Sequence, residues 1–238
     1  QAYTYKGDSI VLGCAVKNGV PIDGLQVKIA LKTMNRHGLI SGATGTGKTK
    51  TLQLLAENLS DRSVPVLLMD IKGDLSGLGA EGMFNPKIEE RIQHIGIEWK
   101  PTSSPLEFLT ISNQPGTRMR STVTEFGPVL FSRILGLNET QESLMAVIFK
   151  YCDDQQLPLL DLKDIRKVIQ YFTTDGKAEL TKDYGTLSAQ SLGIILRKIV
   201  ELEQQGGELF FGEPSFEVED LVRLDDEGRG IISIIRLT

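Results

Sequence analysis

Residues that bind metals or carry redox chemistry are scarce in this chain. Among 238 residues there are two cysteines, Cys14 and Cys152, and two histidines, His37 and His94. No CxxC pair occurs, so no zinc cluster can be assembled at the usual spacings. Both cysteines read as reduced core residues of a cytoplasmic protein. Long apolar runs are missing as well. Val64 to Met69 and Ile231 to Ile235 fall far short of the ~18 residues a membrane span needs, and no secretory signal opens the sequence. No membrane partner is therefore expected. The single tryptophan and the formal net charge of −5 argue against nucleic-acid binding by the whole surface. With 40% hydrophobic and 24% charged residues the chain is not disordered. It can bury a large core as one domain, or as one domain carrying an insertion.

The net charge hides an asymmetry. Residues 1–50 hold seven Lys/Arg against two Asp/Glu, a net of +5, whereas residues 201–238 hold three against ten, a net of −7. Charged faces that keep the protein soluble explain this most simply. Head-to-tail contact between subunits, or a locally positive pore, is the other reading.

What is present is a complete G-x-x-x-x-G-K-[ST] phosphate loop, Gly42-Ala43-Thr44-Gly45-Thr46-Gly47-Lys48-Thr49. Its glycines let successive backbone N–H groups turn inward at phosphate oxygens. Lys48 reaches the β- and γ-phosphates as the electrostatic, catalytic cation, and the Thr49 hydroxyl holds Mg²⁺. The expected nucleotide-binding set is Gly42 to Thr49 together with Lys50.

The surroundings suit the motif. Leu25 to Lys32 alternates with period two and pairs in expectation with Ser9 to Val16, through a link holding Asn18-Gly19, Pro21 and Asp23-Gly24. His37 to Ser41 reads as the short strand delivering the loop. Thr49 to Leu59 reads as an amphipathic helix with Leu52, Leu55 and Leu59 inward. Val64 to Met69 follows as a central parallel strand covered on both faces, which completes a βαβ unit. Asn85-Pro86 starts a helix carrying Ile88, Ile92 and Ile95, and Leu106 to Ile111 reads as another strand. Residues 119–135 form a helix kinked at Gly127-Pro128, with Gly136 as its stop and Asn138 to Gln141 as the capping box of the next. That helix turns Leu144, Ile148 and Tyr151 inward. Asp161 to Phe172 and Leu187 to Gln205 are two more helices, which makes four in sequence. Ile231 to Ile235 then rejoins the central sheet.

Asp70 ends the apolar strand and is a candidate Mg²⁺ carboxylate. The segment Asp70-Ile71-Lys72-Gly73 imitates the D-x-x-G switch of GTPases, but no N-K-x-D guanine-specificity sequence occurs anywhere in the chain. A GTPase is thereby disfavoured. In ATPase motors the corresponding strand is separated from the phosphate-loop strand by a later one, and Asp70 lines the site without being its main ligand.

Four segments carry a family resemblance. Asn35 to Ser41 running into GATGTGKT, DIKGDLSG from Asp70 to Gly77, LLDLKD from Leu159 to Asp164, and LEQQGGELFFGEP from Leu202 to Pro214 resemble the HerA/FtsK-type P-loop ATPases. The resemblance is greatest to the bacterial HerA-like (YjgR-related) helicase group. It implies an α/β fold of the ASCE, RecA/FtsK-like kind: a parallel sheet with a helical insertion and a small N-terminal β element. Expected boundaries are 1–34 for that element, 35–115 for the first part of the ATPase core, 116–212 for the helical insertion and 213–238 for the return to the core. It also implies ATP and Mg²⁺ as cofactors, a homo-oligomeric and often hexameric ring, and ATP hydrolysis driving DNA translocation or remodelling. DNA as a partner rests on the resemblance alone.

One departure from the pattern matters. Relatives carry a later strand ending in an acidic pair, usually Asp-Glu followed by Ala-His, whose Asp supports Mg²⁺ and whose Glu polarises the attacking water. No such sequence occurs here, so the chain is expected to be a fragment that binds nucleotide without the residue that makes hydrolysis fast. Arg118 and Arg120 are candidate phosphate-contacting arginines, although an exposed pair at a helix start accounts for them more simply. The alternative to a motor is an ATP-gated assembly protein with little turnover. A small-molecule kinase is a third reading.

Overall fold

The computed structural model describes residues 7–237. The first six residues of the expected N-terminal element and Thr238 lie outside the described residues. The chain divides into two compact units, one comprising the residues up to Phe108 together with Val218–Arg236, the other Leu109–Glu217 with Leu237.

The first unit opens on an antiparallel hairpin of β1 (Ser9–Lys17) and β2 (Val20–Ala30). Asn18 and Gly19 turn it, with φ of 53° and 80°, the left-handed pair that matches strand twist in a two-residue loop. Pro21 and Asp23-Gly24, expected in the link, lie inside β2 instead. The register jumps from Val16↔Pro21 to Cys14↔Gln26, so these turn formers are absorbed as a bulge.

Helix α1 (Lys48–Ser60) follows the phosphate loop, then β3 (Val66–Asp70), α2 (Pro86–Ile95), β4 (Leu106–Thr110) and, after the second unit, β6 (Ile232–Arg236). With β5 (Thr117–Arg118), the strands form one sheet of order β3-β6-β4-β5, in which β3 runs parallel to β6 and β4 to β5. The sequence-distant β6 thus occupies an inner position. Ile232, Ser233 and Ile234 are fully buried there, as a β-rich apolar run requires.

Two expectations fail in this unit. His37 to Ser41 is not a strand: Leu39 is 91% exposed, and no described strand runs along the segment. An extended segment becomes a strand only when a neighbour takes its N–H and C=O groups. Nor is β3 covered on both faces. It is the edge of the described sheet and alternates, with Leu68 and Asp70 buried while Leu67 and Met69 are exposed.

The buried face of α1 is also offset by one residue from the Leu52/Leu55/Leu59 stripe. Gln53, Ala56 and Ser60 face inward, while Leu52 packs at the margin of a core formed by Ala56, Leu68, Leu75, Leu78, Ile232 and Ile234. Small and hydrogen-bonding residues let the helix approach the sheet closely. The Ser60 hydroxyl donates to the Gly230 carbonyl at 2.6 Å, and the Gly230 N–H donates back to the Ser60 carbonyl at 2.8 Å.

The second unit is helical: α3 (Val123–Leu135), α4 (Glu139–Asp154), α5 (Leu162–Thr173), α6 (Lys177–Tyr184) and α7 (Ala189–Gln204). Thr122, Asn138 and Asp161 each close a capping box. Gly127, at φ 66° and ψ 169° ahead of Pro128, breaks α3 where expected. Four helices were expected and five form, because the polar α6 buries only Leu180 and carries no apolar stripe to read. Leu144, Ile148, Ile165, Ile169, Ile195 and Ile199 build the core of this unit.

The tightest backbone approach gives a test of the fold. A Cβ at Gly230 would lie 2.2 Å from the Val64 carbonyl oxygen and 2.5 Å from the Pro65 nitrogen, atoms that no rotamer change can move. Gly230→Ala should lower stability by about 1–3 kcal/mol, read as an earlier urea midpoint. An unchanged midpoint would show that the Ser60–Gly230 junction has slack.

Candidate nucleotide site

The loop Gly42–Gly47 delivers the chain into α1 with no side chain capping the helix. Gly45 and Gly47 sit at φ 83° and 96°, left-handed values that residues with a Cβ rarely adopt. The loop doubles back on itself. A Cβ on Gly42 would come within 2.5 Å of Thr46 Oγ1, and the Ala43 carbonyl accepts from Thr46 Oγ1 at 2.8 Å and from Lys48 Nζ at 2.8 Å. Lys48 is thereby held over the loop. The first intrahelical bond runs from the Thr51 N–H to the Gly47 carbonyl at 2.9 Å, so the N–H groups of the opening turn have no helical acceptor. No acidic residue stands in that turn. An uncapped N-terminus flanked by Lys48 and Lys50 attracts anions through its unsatisfied donors and its dipole.

The turn after β3 faces α1. Thr49 Oγ1 donates to Asp74 Oδ2 at 3.1 Å, and Gln53 Nε2 donates to the Asp74 carbonyl at 3.0 Å. Asp70, the carboxylate expected at magnesium, has a different occupation. It is 2% exposed; Oδ1 accepts from the Lys72 and Gly73 N–H groups at 3.0 and 2.8 Å, and Oδ2 accepts from Leu75 N–H at 3.0 Å. Burial alone would raise its pKa, but the backbone donors of Leu75, Gly73, Lys72 and Asp74 outweigh burial and hold it below the ordinary carboxylate value. Asp70 shapes the turn and Asp74 meets the loop. The sequence signal for Asp74 was present in Asp70-x-x-x-Asp74; only the fold could say which carboxylate faces Thr49.

Beside the loop lies a groove of about 900 Å³, lined by Thr46, Gly47, Lys50, Leu54 and Glu57 on the α1 side and by Trp99 opposite. Burial first, and then the charge of Asp61, push the Glu57 carboxyl above its usual range. The donor set around Thr49 and Asp74 is oxygen only and suits a hard cation such as Mg²⁺. Among the described residues no group of three or more His, Cys, Asp or Glu side chains could hold a metal alone. A magnesium ion at these oxygens would complete its shell with water or with ligand oxygens.

The family model for helicase HerA-like C-terminal domains matches residues 16–238. The chain belongs to that family. No curated protein matches it. Family membership agrees with the P-loop-like α/β sheet and helices. In this HerA-like domain Arg118 and Arg120 are not an exposed pair at a helix start. Arg118 ends β5, both are half-buried, and α3 begins only at Val123. The Arg120 N–H donates to Ser215 Oγ at 3.1 Å, which ties the segment to the chain beyond α7.

Because Asp70 is held below its ordinary pKa of 3.8, its contribution to stability is fully present above that value and lost as pH falls through the folded-state value. Asp70→Asn should therefore be less stable than the parent at neutral pH. The gap should narrow below pH 3.8 in thermal melts. A gap independent of pH would show that charge at Asp70 does not stabilise the turn.

Proposed function

We propose that this HerA-like domain is the ATP-binding module of a ring-forming, often hexameric motor that couples ATP hydrolysis to DNA translocation or remodelling. The observation that carries the reading is the uncapped start of α1 beneath a loop whose Gly45 and Gly47 take left-handed φ. Residues 42–50 bind the triphosphate: backbone N–H groups around Gly45 to Lys50 hold its oxygens, and Lys48 leaves the Ala43 carbonyl to neutralise charge on the transferring phosphoryl group. Thr49 contributes its hydroxyl to Mg²⁺, which when bound neutralises phosphate charge. The groove lined by Lys50, Leu54 and Trp99 has room for the nucleoside. The helical unit acts as an insertion in the ATPase core, and DNA as the track rests on the family resemblance alone. Two free cysteines favour a cytoplasmic setting. No helix among the described residues is long and apolar enough to cross a membrane.

Two measurements test this. Lys48→Ala should weaken ATP binding about tenfold or more, ~1.4 kcal/mol, with an unchanged melting temperature, since among the described residues its ammonium group donates to a carbonyl of its own loop. Unchanged affinity in calorimetry contradicts the assignment. For the motor itself, ATPase activity of the full-length protein should rise with duplex, single-stranded or forked DNA. No stimulation by any of these would favour ATP-gated assembly with little turnover.

A further inference from the structure

The nucleotide reading leaves open what the two carboxylates of the turn after β3 contribute to the magnesium site, and Asp70 and Asp74 differ in what their oxygens already do. We infer that Asp74 is the positioning residue of the Mg²⁺ site, acting through the Thr49 hydroxyl, and that Asp70 serves only the fold; this deepens the ATP-binding proposal and rests on it.

A threonine hydroxyl has one proton to donate and lone pairs to offer. When the oxygen ligates a cation, its proton must point at an acceptor elsewhere, or the lone pair turns away from the metal. Asp74 Oδ2 is that acceptor, 3.1 Å from Thr49 Oγ1 and from an element 25 residues away in sequence. The carboxylate is exposed at the loop, and among the described residues no Lys or Arg forms an ion pair with it. Its charge is therefore free to favour a cation at Thr49.

The position of Asp74 is built rather than incidental. Buried Gln53 grips its carbonyl from α1. On one side Asp70 gathers the Lys72 and Gly73 N–H groups, and on the other the Leu75 N–H. Leu75 and Leu78, each 3% exposed, anchor the turn in the core. Asp70 cannot exchange roles with Asp74 without releasing three buried or half-buried N–H groups, each costing about 1–3 kcal/mol when left unsatisfied. Outer partners that orient a ligating group in this way typically change metal affinity tenfold to a hundredfold when removed.

The test measures ATP affinity by calorimetry with Mg²⁺ and again with EDTA. The parent should bind more tightly with Mg²⁺. Asp74→Ala, which removes the acceptor for the Thr49 proton, should lose most of that enhancement, about tenfold or more, while matching the parent in EDTA and in melting temperature. Asp70→Asn should lower the melting temperature, and because its turn carries Asp74 it should lose no more of the enhancement than the Asp74 variant does. Thr49→Val should lose at least what Asp74→Ala loses, and the double variant should lose no more than Thr49→Val, because Asp74 acts through the Thr49 hydroxyl. An enhancement retained in Asp74→Ala, or additive losses in the double variant, overturns the role of Asp74 alone. A parent that binds no ATP in either condition refutes the nucleotide reading itself. If Asp74→Ala melts early, Asp74→Leu is measured in EDTA and Mg²⁺ in its place, and a retained enhancement again counts against the inference.

Discussion

A helix that begins without a cap is the constraint on which the rest of this unit depends. The opening N–H groups of α1 have neither side-chain nor helical acceptors, and they lie under a loop that reaches them only because Gly45 and Gly47 take left-handed φ. In water those donors are solvated. A polyanion at the same place satisfies several at once and meets the positive end of the helix dipole. The ammonium of Lys48 adds to this field while resting on the Ala43 carbonyl.

Such a site works only if α1 cannot drift relative to the neighbouring strand, and both ends of the helix are tied. Near its start, Thr49 and Gln53 engage Asp74 on the turn after β3. At its end, Ser60 and Gly230 exchange hydrogen bonds where the chain enters β6. Between these points the helix presents Ala56 to Leu68, Ile232 and Ile234, so it lies close to the sheet. Backbone-level anchoring of this kind positions donors more sharply than a loose apolar stripe does.

Much of this was legible in the chain because local chemistry dictated it. The Asn85-Pro86 start, the Asn138 to Gln141 capping box, the Gly136 stop and the Gly127-Pro128 break each have a mechanism that operates within a few residues. Features decided by distant partners were harder to read. His37 to Ser41 has a strand-like sequence but no described neighbour, and Leu67 and Met69 look like core residues until β3 proves to be an edge. The inward face of α1 was misread because Gln53 and Ser60 are polar by composition and buried by virtue of partners at Asp74 and Gly230. At the site, the phosphate loop announced itself by motif. The division of work between Asp70 and Asp74 could not be read from spacing, since both follow the same strand and only the turn decides which carboxylate is consumed by backbone donors.

The central claim is that the backbone from Gly45 to Lys50 grips the triphosphate. It is tested most directly by following the amide resonances of those residues while ATP and Mg²⁺ are added to isotope-labelled protein. Large, saturable shifts are expected in the loop, the first turn of α1, the Asp74 turn and the groove at Leu54 and Trp99, with protection of the loop amides from exchange. Saturating ATP that leaves the Gly45 to Lys50 amides unmoved would contradict it.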